Sequence, residues 1–136
     1  MNRINLSRAL RAALFGFALL GTTGIARAEI KDYEFKLAEP TMTVGKDKIV
    51  TVQLLNKKTG KPVPNAVIFA TRLDMAPDGM PEMATRIALD PGTAEPGSYR
   101  FKATFGMEGR WLLSIGAKVQ GETGTVEGKF VITAQK

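Results

Sequence analysis

The alternation at residues 98–105 constrains this chain more than any other stretch. Tyr99, Phe101, Ala103 and Phe105 fall on one face, and Ser98, Arg100, Lys102 and Thr104 on the other. A period of two is that of a strand with one face against a core and the other in water. The pattern recurs in Tyr33, Phe35 and Leu37 set against Asp32, Glu34 and Lys36. It recurs again in Trp111, Leu113, Ile115, Ala117 and Val119 set against Arg110, Ser114 and Lys118. Residues 49–55 and 66–73 read as more continuously apolar strands, 85–89 as a short one, and Val126, Phe130 and Ile132 mark the last. Polar turns at 45–48, 57–62 and 121–124 separate them, and no stretch beyond residue 28 has helical periodicity. Short strands at this spacing predict an all-β fold, an immunoglobulin-like antiparallel β-sandwich of about seven strands. There is no Cys–Trp–Cys framework, so the sandwich is expected by architecture alone.

The first 28 residues follow a different rule. Arg3, Arg8 and Arg11 precede an uncharged apolar run at 12–20, and Ala26-Arg27-Ala28 is a small-x-small cleavage site. These are the three parts of a secretory signal peptide. Crossing a bilayer takes about 20 apolar residues, and Gly21, Thr22, Thr23 and Gly24 dilute this run too early. The expectation is a cleaved signal over 1–28 and one domain over 29–136, periplasmic and without stable membrane insertion; an uncleaved anchor is the alternative. No cysteine follows the apolar run and no twin arginine precedes it, which points to the general secretory route.

The signal also carries most of the net charge. Of 19 basic residues, Arg3, Arg8, Arg11 and Arg27 lie within it, and none of the 13 acidic ones does. The remainder holds 15 cations against 13 anions, interspersed, whereas nucleic-acid binding wants a concentrated basic face. Nucleic acid is therefore excluded as a partner. The chain has no cysteine and no histidine. That removes disulfides, thiolate metal sites, the commonest metal ligand and the commonest general base. No phosphate loop or nucleophile elbow accompanies the carboxylates, so no enzymatic activity is expected.

Residues 74–86 break the alternation. They hold Met75, Met80 and Met83, three of the five methionines beyond the signal, together with Pro77, Gly79 and Pro81. Two prolines cannot donate to a β-ladder, which predicts a loop or a distorted edge. Thioether sulfur is a neutral, polarizable ligand that selects Cu(I) over hard cations. Met75, Met80 and Met83 are thus candidate Cu(I) ligands, with Asp74, Asp78 and Glu82 nearby. Met107 joins them if the turn before Trp111 neighbours this segment. Methionine is also a flexible core filler: Met75 continues the alternation through Leu73, Met83 leads into the next strand, and Met107 is in register with Phe105 and Trp111. Met42 reads as packing.

The string Pro62-Val63-Pro64-Asn65-Ala66-Val67, then Asp74-Met75, Gly79-Met80-Pro81-Glu82-Met83, Gly97-Ser98-Tyr99 and Met107-Glu108-Gly109-Arg110-Trp111 resembles the YtkA-like/FixH-like domain over residues 40–120. The resemblance implies an exported β-sandwich with a role in copper handling, heavy-metal efflux or assembly of haem–copper oxidases. A membrane-bound oxidase or a metal-efflux component would be its partner. Where many such domains place a histidine after the methionines, this chain has Ala84-Thr85-Arg86. Cu(II) wants imidazole nitrogen, so an all-thioether Cu(I) site is what remains. The expected function is a periplasmic accessory protein in copper or heavy-metal handling that binds Cu(I) through loop methionines. The alternative is a module without metal that docks on a membrane oxidase or efflux complex through an exposed Met/Pro loop. Gly97 is expected at a tight turn, Gly109 shaping a hairpin and Trp111 in the core.

Overall fold

A computed structural model describes residues 30–92 and 94–136; the signal read at 1–28 lies outside them. The alternating stretches become nine strands: β1 (Tyr33–Leu37), β2 (Thr41–Thr43), β3 (Gly45–Asn56), β4 (Val67–Met75), β5 (Met80–Thr85), β6 (Ile87–Leu89), β7 (Ser98–Phe105), β8 (Gly109–Lys118) and β9 (Val126–Gln135). They form a four-stranded sheet in the order β1-β3-β7-β6 and a five-stranded sheet in the order β2-β9-β8-β4-β5. The inward faces close on one core, with Phe35, Val50, Val52, Leu54, Phe101 and Phe105 from the first sheet and Leu73, Trp111, Leu113, Ile115 and Ile132 from the second. This is the expected immunoglobulin-like sandwich.

The count exceeds the expected seven because two short edge strands carry no periodic signal. β2 spans three residues outside the alternating stretches, yet it runs parallel to the end of β9 from Thr41 opposite Thr133 to Thr43 opposite Gln135. Tertiary position, not propensity, makes it a strand. β5 is the distorted edge that the prolines foretold. It pairs with β4 through Leu73 opposite Thr85, Asp74 opposite Ala84 and Met75 opposite Met80, so residues 81–83 bulge out of the ladder. Pro81 is tolerated there because edges and bulges need fewer ladder donors.

Trp111 joins the two sheets. It is 3 % exposed, and its ring meets Phe105 edge-on at 5.8 Å and 87°. Its indole N–H donates to the Met107 carbonyl at 3.3 Å, tying the β7–β8 turn to the core. Truncating a buried tryptophan costs about 3–5 kcal/mol, against a typical total of about 5–15 kcal/mol for a domain. Trp111→Ala should therefore lose about a fifth or more of the unfolding free energy, read as a lower urea midpoint at unchanged slope.

Candidate metal centre

The methionine segment is organised by two aspartates around a single 3-10 turn, Ala76–Asp78, Asp74 before it and Asp78 as its last residue. Asp74 is 5 % exposed. Its carboxylate accepts the Ala76 N–H at 2.9 Å and the Arg72 Nε–H at 2.6 Å. An aspartate bonding the backbone two residues on is a local turn-former, so Asp74 starts the turn and Gly79 closes it, donating to the Ala76 carbonyl. Asp78 then reaches across to β8. Its carboxylate accepts the Arg110 backbone N–H and the Arg110 Nε–H, each at 2.8 Å, while the Arg110 Nη2 donates to the Pro77 carbonyl at 2.7 Å. The Arg110 N–H, followed by its guanidinium, holds the Asp78 carboxyl below the usual carboxylate value. Gly109 has φ of 144°, and a Cβ there would strike the Met75 methyl and stand 2.8 Å from the Asp78 carboxylate. The clamp therefore requires glycine beside Arg110, and the expectation that Gly109 shapes this hairpin acquires a physical cause.

The clamp seats the β7–β8 turn against the β4–β5 turn, and the methionines distribute around that junction. Met75 is 1 % exposed, in the core, with its methyl against Gly109. Met80 is its cross-strand partner and lies half-buried against the core. Met83 is on the bulge and 41 % exposed. The bulge is pinned by Arg72, whose Nη2 donates to the Pro81 carbonyl at 2.9 Å. Met107 is 42 % exposed at the tip of the β7–β8 turn. Its apparent register with Phe105 and Trp111 fails because the alternation stops at Phe105 and restarts at Gly109. Met42, on β2, packs against the core from its edge. The fold thus pairs Met75 with Met80, brings the turn bearing Met107 beside them, and leaves Met83 facing outward. Among the described residues no group of three or more His, Cys, Asp or Glu could hold a metal ion.

Sequence reasoning placed Asp78 as a nearby acid and missed its role as a clamp. Pro77-Asp78-Gly79 is a legible turn, but nothing in the sequence links it to Arg110, 32 positions on.

The model of YtkA-like domains matches residues 27–116. The chain belongs to the YtkA-like family. The YtkA-like match takes in both turns and the clamp between them, and ends within β8. Two solved structures are similar. The Lin-41 filamin domain is 15 % identical with a TM-score of 0.46, over 77 % of this chain and 93 % of that one. The ZirS C-terminal domain is 13 % identical with a TM-score of 0.46, over 93 % of this chain and 88 % of that one. No curated protein sequence matches.

Because the folded Asp78 carboxyl titrates below its ordinary 3.8, its stabilising contribution is complete above that pH and is lost as pH falls through the folded value. The stability difference between the wild type and Asp78→Asn should accordingly shrink as pH drops below 3.8. Urea midpoints collected across that range check it, and a difference that stays constant with pH would show that the carboxylate charge plays no part.

Proposed function

We propose that this YtkA-like protein is an exported, non-catalytic accessory protein in copper or heavy-metal handling, carrying Cu(I) on thioether sulfur where the two turns meet. The observation that supports it most is the Asp78/Arg110 clamp, which sets the turn bearing Met107 beside the paired Met75 and Met80. Exposure grades the sulfurs. Met83 and Met107 are open to an arriving ion, Met80 is half-covered, and Met75 forms the wall behind it. An ion would meet the outer sulfurs first and be held between Met80 and Met107.

The chemistry of the donors suits cargo rather than catalysis. A thioether is soft and neutral, so it favours Cu(I) and leaves the ion its single charge. It has no proton to lose, whereas thiol and imidazolium ligands must deprotonate to bind, which makes their affinity depend on pH. Nor does it form disulfides in the oxidising compartment to which the pattern at 1–28 would direct the chain. Release to a recipient therefore requires no reprotonation. The recipient that the family resemblance implies is a membrane-bound oxidase or a metal-efflux component. With neither histidine nor cysteine in the chain, the usual bases and nucleophiles are missing, which favours carriage over turnover.

Titration with Cu(I) against a competing chelator tests the reading. Binding tighter than micromolar is expected, flat between about pH 5 and 8 where imidazole would titrate, and weakened about tenfold or more by the double substitution Met80→Leu/Met83→Leu. Weaker binding, or binding indifferent to the double substitution, contradicts it.

A further inference from the structure

With no cysteine in the chain, every sulfur it carries is a methionine thioether. A hydroperoxide oxidises such a group in one step. With hydrogen peroxide, the sulfur lone pair attacks one oxygen, an S–O bond forms, the O–O bond breaks and water leaves. Sulfur gives up two electrons and the peroxide takes them. The sulfoxide so formed is polar and chiral. It presents a hard oxygen where the thioether offered Cu(I) a soft sulfur.

The fold sorts its methionines by how far a peroxide can reach them. Met75 is buried in the core, and Met42 and Met80 are partly covered by it. Among the described residues only Met83, at 41 %, and Met107, at 42 %, are largely open. A sulfoxide at Met75 would press a polar oxygen into the core beside Gly109, which is unfavourable without a hydrogen-bond donor. The two open positions carry no such cost, and both stand on backbone that is held without help from the methionine side chain. The Met107 carbonyl accepts the Trp111 indole N–H, and Arg110, three residues on, is clamped to Asp78. Near Met83, Arg72 holds the Pro81 carbonyl. Either side chain can therefore change chemically while its turn stays in place. The two differ in their neighbours. Met83 lies on the bulge, out of the β4–β5 ladder, whereas the clamp seats the turn of Met107 beside Met75 and Met80.

We propose that Met107 is a peroxide-sensitive switch on the thioether site: its oxidation to the sulfoxide lowers affinity for Cu(I), and reduction back to the thioether restores it. This rests on the reading that Cu(I) is held between Met80 and Met107. In the return step two thiols of a methionine sulfoxide reductase become a disulfide, and the sulfoxide oxygen leaves as water. Met83 is oxidised as readily but outside the pair, so it consumes peroxide without changing the site. Met80, half-covered, reacts later than Met107. One oxygen atom at Met107 is then enough to weaken the site while the fold stays intact.

The test treats the purified protein with increasing hydrogen peroxide, removes the peroxide, locates sulfoxide by peptide mass spectrometry and titrates Cu(I) against a competing chelator. Met83 and Met107 should oxidise at least about tenfold faster than Met75, following exposure. Cu(I) affinity should fall about tenfold or more in step with sulfoxide at Met107, with the urea midpoint unchanged, and should recover after a sulfoxide reductase and thiol. Met83→Leu should keep this response. Met107→Gln, a polar stand-in for the sulfoxide, should show the lowered affinity without peroxide, and Met107→Leu should lose the response to the same dose. Loss that tracks sulfoxide at Met83 or Met80, persists in Met107→Leu, or accompanies a lower urea midpoint overturns the proposal. So does oxidation of Met75 as fast as Met107. Tight Cu(I) binding that is indifferent to complete oxidation of Met107 overturns the switch alone, whereas absence of Cu(I) binding by the reduced protein overturns the metal site and the switch together.

Discussion

The contact between Asp78 and Arg110 decides how this end of the sandwich is arranged. Surface ion pairs contribute little to stability, and this one lies at the surface. Its importance is positional. Two bonds to the carboxylate and one to the Pro77 carbonyl fix the β4–β5 turn to the first residues of β8. The next residue, Trp111, turns inward by the strand's alternation and packs on Phe105. One residue pair therefore faces both ways: Arg110 joins the turns on the outside, and Trp111 locks the strand to the core within. Gly109 beside them lets the Met75 methyl approach the backbone. A clamp that is weak in energy can still set which turns are neighbours, because the rigid sandwich carries the stability.

Much of the fold is legible in the sequence because burial on one face imprints a period of two. Phe101, Ala103 and Phe105 are buried as the alternation requires, as are Trp111, Leu113, Ile115 and Ala117. What escapes is pairing across long separations. β2 is a strand only because the end of β9 lies beside it, and β5 only because it folds back on the end of β4. Met107 looked continuous with Phe105 and Trp111, since period alone does not reveal where a strand stops and a turn intervenes. The candidate site was visible as a composition, three methionines among prolines, but its depth was not. Whether a methionine is wall or surface depends on a bulge at residues 81–83 and on a partner 32 positions away, and neither leaves a local signal.

The five-stranded sheet presents its features in different places. The methionines gather where β4 ends and β8 begins; the exposed Val67 and Phe69 lie toward the other end of β4. At that other end Ile30, the first described residue, donates to the Thr125 carbonyl just before β9.

The central claim is that the clamp makes the methionines of two turns into one site. Labelling the methionine ε-methyl carbons and adding Cu(I) stepwise follows each thioether separately by NMR. The account predicts that the methyls of Met80 and Met107 move together, with Met75 perturbed behind them and Met42, two strands from Gly109 across β9, moving less. Movement of Met42 to the same extent, or of Met83 alone, would contradict it.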